Sequence, residues 1–266
     1  MQLGELAWPD VAAVKTKPVV VPLGSFEQHG RHLPLLTDTL IGQEIARRAE
    51  AELGDEALFL PMLYLGASDH HLAFPGTVSL SLDTYVRVLC DLIESLISAG
   101  FRRIFLLNAH AGNTIPAQTA LNNVQVRRRA EMPDLYLAFA SWFDVAAPAL
   151  SALAEAEGFS QRKILHACEW ETSQIQRLRP ELAGGEPRGS RFAINSDFWW
   201  PDHSGTSRVF VARGMEQSSE TGAYGFPEEA TPEKGEALFA TAAREVVAFV
   251  REFARWPVIE KGIPHA

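Results

Sequence analysis

The sequence contains little cysteine, since Cys90 and Cys168 are the two in 266 residues and they lack Cys-X-X-Cys spacing. A scaffold stabilised by disulfides is therefore not expected, and such low cysteine use fits a reducing compartment. Apolar runs of membrane-spanning length are also missing, and the amino terminus lacks the basic and apolar segments of a secretory signal. We therefore expect a cytoplasmic protein with no membrane partner.

Positive charge is scarce as well. Lysine and arginine number 24 against 33 aspartates and glutamates, which gives a net charge of −9 and a pI near 5.4. No basic cluster exceeds residues 127–129, which lie near the end of a predicted helix. Nucleic-acid-binding proteins usually carry a basic patch, so no nucleic-acid partner is expected.

Strand-like and helix-like segments alternate along the chain. Four apolar runs predict strands, at residues 18–23, 58–65, 103–107 and 135–140. Helical periodicity lies between and after them, at residues 39–53, 81–99, 114–131, 166–178 and 232–256. This alternation favours βαβ units and predicts an α/β fold with a largely parallel sheet covered by helices on both faces.

The segment at residues 183–225 is rich in glycine, serine, proline and aromatic residues. It is predicted as loops, with at most one strand at residues 207–211. Hydrophobic residues make up 47% of the chain, which is enough for a sizeable core. Because no convincing linker interrupts the sequence, we predict a single domain over residues 1–266.

Polar side chains are concentrated directly after the first predicted strand. Within twelve residues the chain carries Glu27, His29, His32 and Asp38. If residues 27–29 are extended, Glu27 and His29 point to the same side, because side chains alternate between the faces of a strand. Carboxylate and imidazole groups together suit zinc, manganese or iron. The plainer alternative is a polar loop in which Asp38 caps a helix.

Two further loops carry histidine after a predicted strand. Residues 66–77 contain His70 and His71 and follow the second strand, and residues 108–113 contain His110 and follow the third. The carboxyl ends of parallel strands meet at one edge of a sheet, where α/β proteins bind their ligands. The three loops together therefore favour a functional site over unrelated surface polarity.

A fourth polar cluster occupies residues 166–173. If this segment is helical, His166 and Glu169 share a face at a spacing of three residues, while Glu171 lies nearly opposite Glu169. A single such pair usually lies on the surface. As the fourth member of a set, it is a candidate for the same site.

The four clusters resemble, in order, the motifs of the creatininase (creatinine amidohydrolase) family. The family patterns GSxEQHGxHLPxxTD, HxxFPGTxSL, NGHGGN and HAGExETS correspond to residues 24–38, 71–80, 108–113 and 166–173. The resemblance implies a three-layer α/β/α sandwich and two divalent ions per chain, which would be zinc, manganese or iron. It also implies hydrolysis of a carbon–nitrogen amide bond and a homo-oligomer, often a hexamer.

Carried over position by position, the resemblance implies four metal ligands: Glu27 and His110 on one ion, His29 on the other, and Asp38. Asp38 would bridge the two ions. Creatinine-hydrolysing members have a glutamate two residues after the histidine of the third motif, where this chain has Gly112. Glu169 is the expected replacement because it would share the face of His166, and Glu171 is the alternative ligand or a neighbour of the ligands.

The resemblance assigns proton transfer to His166, as general acid and base. A hydroxide bridging the two ions would be the nucleophile. Backbone N–H groups of Gly76 and Thr77 are candidates for stabilising the tetrahedral intermediate. His32 has two interpretations, a neighbour of the site or a residue that packs the loop.

A poor creatininase is nevertheless expected. Creatinine-hydrolysing members follow the metal-binding histidine with Tyr-Glu, where this chain has Ala111 and Gly112, and carry a tryptophan four residues before the catalytic histidine, where it has Arg162. The pocket should therefore be wider and less aromatic. The aromatic run at residues 198–200 either closes over the site or packs in the core or an oligomer interface, and the second is favoured.

The expected substrate is a small-molecule amide, cyclic amide or formamide, with a bond other than a peptide bond. Within the family, a formylaminopyrimidine-type deformylase and a peptide-processing enzyme are the alternatives. Outside the hydrolases, a metal-dependent isomerase or lyase acting on a sugar-like substrate stays open. So does a metal-free relative that serves as an assembly partner.

Overall fold

The computed structural model describes residues 1–190, 196–200 and 207–258. Within these ranges it contains four strands: β1 (Val19–Leu23), β2 (Leu58–Phe59), β3 (Arg103–Asn108) and β4 (Tyr136–Ser141). They form one sheet in the order β2-β1-β3-β4, and every neighbouring pair is parallel. The parallel sheet predicted from the sequence is confirmed.

The same ranges contain eight α-helices. They are α1 (Trp8–Val14), α2 (Thr37–Leu53), α3 (Leu82–Ser98), α4 (Thr114–Arg128), α5 (Trp142–Val145), α6 (Ala147–Ala156), α7 (Glu169–Leu178) and α8 (Pro232–Phe253). Helices α1, α5 and α6 were not predicted from the sequence. Among the described residues no helix is both long enough and apolar enough to cross a membrane.

Helices cover both faces of the sheet. Along β1, Val20 faces a core that includes side chains of α2, α7 and α8, whereas Val19 and Val21 face a core built with α3 and α4. All five residues of β1 are buried. A strand buried on both faces is a continuous apolar run, which explains why this pattern located the sheet correctly. The three-layer α/β/α arrangement is confirmed.

Two strand predictions are corrected. The second strand was predicted over residues 58–65, but β2 ends at Phe59. Beyond it the regular register with β1 is lost, because the N–H of Leu60 donates to Val20 and the next N–H to donate to β1 is that of Leu63, to Pro22, one residue later than a regular ladder requires. No strand forms at residues 207–211, where the backbone N–H groups of Arg208 and Val209 both donate to the carbonyl of Phe198. This sharing of one acceptor is not a strand ladder.

The helix predicted over residues 166–178 begins three residues later than expected. Ala167 adopts a left-handed conformation with φ of 50°, and Cys168 is extended as the residue that precedes α7. The N–H of Cys168 donates to Oε2 of Glu171 at 3.3 Å. His166 therefore lies outside the helix, and the prediction that His166 and Glu169 share a helical face is wrong.

Candidate metal site

The carboxyl ends of β1 and β3 lead into one buried cluster of carboxylates and imidazoles. The segment after β1 carries Glu27 and His29, and the turn after β3 carries His110; all three are at most 3% exposed. Asn108, the last residue of β3, fixes this turn, because its Oδ1 accepts from the N–H of His110 at 3.1 Å and its Nδ2 donates to the carbonyl of His110 at 2.6 Å. The loops predicted to meet at this edge do so.

Asp38 lies in the first turn of α2 and faces two imidazoles with two different oxygens. Its Oδ1 is 3.1 Å from Nε2 of His29, and its Oδ2 is 3.0 Å from Nδ1 of His110. The hydroxyl of Ser25 donates to Oδ2 at 2.9 Å. Burial alone would raise the pKa of Asp38, but His29 and His110 hold it below its usual value. Burial alone would lower the pKa of His29, and Asp38 instead raises it to about 9.

Glu27 is fully buried, and neither of its carboxylate oxygens has a hydrogen-bond partner within the described ranges. Three imidazole nitrogens lie near it, those of His110 at 3.2 Å, His71 at 3.4 Å and His166 at 3.7 Å. Although burial favours the protonated acid, the first two of these histidines above all hold the pKa of Glu27 well below its usual value. A buried carboxylate needs positive charge beside it, which these imidazoles provide here and which a divalent ion among them would also supply. The donor set therefore fits a divalent ion.

Glu27 belongs to each of three groups of side chains whose ligand atoms lie within 4.8 Å of one another: Glu27 with His29 and Asp38, Glu27 with His71 and His166, and Glu27 with His70 and His110. The centre thus offers more nitrogen and oxygen donors than one ion needs. Glutamate, aspartate and histidine are the donors that zinc, manganese and iron accept.

The two glutamates of α7 point in different directions. Oε1 of Glu169 accepts from Nζ of Lys234 at 2.5 Å, and Oε2 accepts from the N–H of Ser160 at 2.8 Å. Glu171 instead lines the central cavity, with Oε1 at 3.9 Å from Nε2 of His29. Burial raises the pKa of Glu171 to about 8, although His29 opposes the shift. The structure brings Glu171, and not Glu169, to the cluster.

His166 reaches the cluster from the segment before α7. Its Nε2 lies 2.8 Å from the carbonyl oxygen of Gln28, to which it donates. Burial lowers the pKa of His166 well below its usual value, and the neighbouring His29 and His71 act in the same direction. The ring is therefore neutral, with Nδ1 towards Glu27.

The other residues predicted from the sequence lie around the cluster. His32 contacts the hydroxyl of Thr172 on α7 at 3.0 Å and does not line the cavity. The hydroxyl of Thr77 accepts from the N–H of Gln28 at 3.1 Å, so the turn at Gly76 and Thr77 supports the segment that carries Glu27. Neither residue of that turn lines the cavity.

A cavity of about 680 Å³ opens over the cluster. Its lining includes the cluster residues Glu27, Asp38, His110, His166 and Glu171 and the aromatic residues Phe143, Trp199, Trp200 and Phe210. Trp199 and Trp200 of the aromatic run thus border the site, against the favoured interpretation of core or interface packing. Arg162 is exposed, pairs with Glu155 at 3.3 Å and does not line the cavity.

Three members of the site were given no role from the sequence. Gln28, His70 and His71 are in or against the cluster. The side-chain N–H₂ of Gln28 donates to the carbonyl of Gly222 at 3.1 Å and to Nδ1 of His71 at 2.8 Å, while its Oε1 accepts from Gly30 N–H at 2.9 Å. The sequence did indicate the two histidines, because His70 and His71 lie in the loop after the second strand, at the edge of the sheet where ligands bind.

Comparison with known proteins gives the same answer over nearly the whole chain. The family model for creatininase, described as creatinine amidohydrolase, matches residues 4–250. A mycofactocin precursor peptide peptidase from Mycobacterium tuberculosis is 31% identical over 250 residues, which cover 90% of this chain and 85% of that protein. The creatinine amidohydrolase of Pseudomonas putida is 30% identical over 190 residues, covering 68% of this chain and 72% of that protein.

Solved structures are similar as well. A manganese creatininase superposes with a TM-score of 0.79 at 25% identity, covering 96% of this chain and 99% of the other. A zinc–zinc form of a creatininase variant gives the same TM-score and identity, covering 96% and 98%. With a family model that spans the strands and all four polar clusters, the conclusion is direct. The chain belongs to the creatininase family.

Proposed function

We propose that the protein is a metal-dependent hydrolase of a carbon–nitrogen bond. The observation that carries this proposal is the buried Glu27 carboxylate, which has no hydrogen-bond partner in the described ranges and is surrounded by ligand-type side chains. A fully buried carboxylate that faces three imidazole nitrogens at 3.2–3.7 Å is typical of a metal ligand. The family relatives named as an amidohydrolase and a peptidase support the same class of reaction.

The cluster would hold two divalent ions. Glu27 and His110 would bind one ion, His29 and Glu171 the other, and Asp38 would contact both, since its two oxygens face His110 and His29 separately. Ions at these positions would supply Lewis acidity that polarises a substrate carbonyl and activates water. Metal-containing forms of creatininase among the similar structures support this assignment.

His166 would move the proton that the reaction requires. Its Nε2 donates to the carbonyl of Gln28, so Nδ1 is the nitrogen without a proton in the neutral ring. This atom faces Glu27 at 3.7 Å and lies at the wall of the cavity. It can therefore take up a proton near the carboxylate and deliver it to a leaving nitrogen.

His71 would orient the Glu27 carboxylate. The Gln28 amide donates to Nδ1 of His71, which leaves the proton of the neutral ring on Nε2, 3.4 Å from Oε1 of Glu27. Partners of this kind hold ligands in the geometry that a metal needs. Gln28 thus contacts both His71 and His166 and fixes the position of each.

The cavity favours a substrate larger than creatinine. Its volume of about 680 Å³ falls within the range of about 300–1,000 Å³ that drug-sized ligands occupy. Its lining includes several large apolar side chains, among them Trp199, Trp200, Phe210 and Ile164. A peptide amide or another amide with a bulky apolar substituent fits such a space, and the mycobacterial peptide peptidases support the peptide alternative.

Creatinine is expected to be a poor substrate. Arg162 supplies no aromatic cover, because it is exposed and paired with Glu155. Other aromatic side chains do line the cavity, against the prediction of a less aromatic pocket, but its volume of about 680 Å³ would hold a small ring loosely. A ring misplaced by about 1 Å can lose roughly a hundredfold in rate. Hydrolysis with saturating manganese or zinc should be far slower than about 10 s⁻¹, the median for enzymes on their own substrates. Creatinine turnover above that value would contradict the proposed pocket.

The two glutamates of α7 provide a matched pair of variants. Glu171→Gln is expected to lose one of the two ions, because Glu171 faces His29. Glu169→Gln should keep both ions and instead lower the free energy of unfolding, by as much as about 3 kcal/mol, because its buried carboxylate pairs with Lys234. Elemental analysis and thermal unfolding of both variants measure these effects. Metal loss in Glu169→Gln alone would reverse the assignment.

A further inference from the structure

His70 stands at the edge of the metal site, and none of the functional roles above uses it. It lies in a short 3₁₀ turn, Asp69–His71, which follows β2 in the chain and lines the cavity. Its ring is stacked on that of His110, with centroids 5.8 Å apart and an angle of 7° between the planes. The ring of His70 thus lies directly beside one of the proposed metal ligands.

The space that the His70 ring occupies depends on Gly112. A Cβ atom at position 112 would lie 2.9 Å from Cε1 of His70, 2.4 Å from Nε2 of His110 and 2.2 Å from the carbonyl oxygen of Ala67. All three distances are shorter than real Cβ contacts allow. No other residue fits at position 112 while the two imidazoles keep this arrangement. The position of the His70 ring therefore requires glycine at position 112.

The nitrogens of His70 are available for a ligand. Within the described ranges neither ring nitrogen of His70 has a hydrogen-bond partner, whereas Nδ1 of its neighbour His71 accepts from Gln28. Ligand atoms of Glu27, His70 and His110 all lie within 4.8 Å of one another. With metal–nitrogen distances of about 2.0–2.1 Å, donors around one ion are separated by up to roughly twice that length, so only a small ring movement is needed.

We propose that His70 is a ligand of the ion held by Glu27 and His110, through one of its imidazole nitrogens. This inference rests on the proposed two-metal site and adds a donor to it. The ion would then have Glu27, His110, Asp38 and His70 around it. Because His70 borders the cavity, it would lie on the side of the ion from which a substrate arrives.

The test is the affinity of the metal-free protein for zinc, measured by competition with a chelator. His70→Phe keeps a flat ring that can stack on His110 and removes both nitrogens, and His70→Ala removes the ring. The wild-type protein should bind two ions, and both variants should bind one of them more weakly by more than about 100-fold. That loss exceeds the roughly 10–100-fold typical of residues that only orient a ligand.

A second readout is the visible absorption of the cobalt-substituted protein, which depends on the number and type of ligands. The spectrum should differ between wild type and His70→Phe if a nitrogen donor has been lost. Thermal unfolding of the metal-free proteins shows whether each variant is folded. If His70→Phe does not fold, the zinc affinity and the cobalt spectrum of His70→Ala decide whether His70 is a ligand. A loss of affinity of about 100-fold or less, or an unchanged cobalt spectrum, would overturn the proposal for His70.

The two proposals fail differently. If the wild-type protein binds no zinc at all, the two-metal site itself is wrong. If the wild type binds two ions and both His70 variants bind them as tightly, only the role of His70 is wrong.

Discussion

Asp38→Ala is expected to remove both metal ions and to abolish turnover. The two oxygens of Asp38 face His29 and His110 separately, at 3.1 and 3.0 Å, so the same carboxylate contributes to both halves of the cluster. Its loss leaves each proposed ion with one negative ligand fewer. Elemental analysis of the purified variant measures this directly, and the metal content should fall from two ions per chain towards none.

An exposed carboxylate serves as the control for this experiment. Asp91 lies on the solvent side of α3, so Asp91→Ala should keep the metal content and the turnover of the wild type. The more conservative Asp38→Asn keeps the shape of the side chain and removes its charge, and should also lose metal. Full occupancy of both positions in Asp38→Ala would show that Asp38 does not bridge the ions.

His166→Ala is expected to separate metal binding from catalysis. The ring donates to the carbonyl of Gln28 through Nε2 and lies 3.7 Å from Glu27, next to the cluster and beside the cavity. Loss of a general acid and base typically lowers the rate by about 100- to 10,000-fold. Turnover should fall by this factor while elemental analysis still finds two ions per chain.

Rescue by added imidazole distinguishes this role from a structural one. The small molecule can enter the space left by the His166 ring and restore part of the turnover of His166→Ala, but it would not restore activity lost through a displaced metal. His32→Ala is a useful comparison, because His32 contacts Thr172 behind the site and does not line the cavity. A His166→Ala protein that has lost metal would make His166 a ligand.

The parts of the fold that were predictable from the sequence are those set by short-range patterns. A strand covered on both faces must be apolar throughout, so β1 and β3 stood out as continuous runs. Because parallel strands end at one edge of the sheet, the loops after them could be expected to meet, and this rule alone predicts that Glu27 and His110 lie together. The single domain, the homo-oligomer and the cytoplasmic location stay predictions.

The predictions were wrong where contacts between distant residues, or the local backbone conformation, determine the position of a side chain. The ion pair between Glu169 and Lys234 joins residues 65 positions apart, and no local pattern reveals it. The left-handed Ala167 delays the start of α7 and moves His166 off the helix, which reversed the choice between Glu169 and Glu171. His70 was passed over for a similar reason, since its position depends on the absent side chain of Gly112 in another loop.

The aromatic run illustrates a different limit. Tryptophan and phenylalanine serve cores, interfaces and ligand pockets equally well, so composition alone cannot choose among them. The structure brings Trp199 and Trp200 to the cavity, and the ring of Trp199 lies 5.0 Å from the guanidinium of Arg213. Which surface an aromatic side chain borders is decided by the fold.

The most direct test of the central claim is a metal titration of the metal-free protein. Release of amine from a set of peptides and small amides is followed as manganese or zinc is added. A metal-dependent hydrolase of carbon–nitrogen bonds should release no amine without metal and reach its full rate at two equivalents per chain. Equal rates of amine release with excess chelator and with two equivalents of metal would contradict the account.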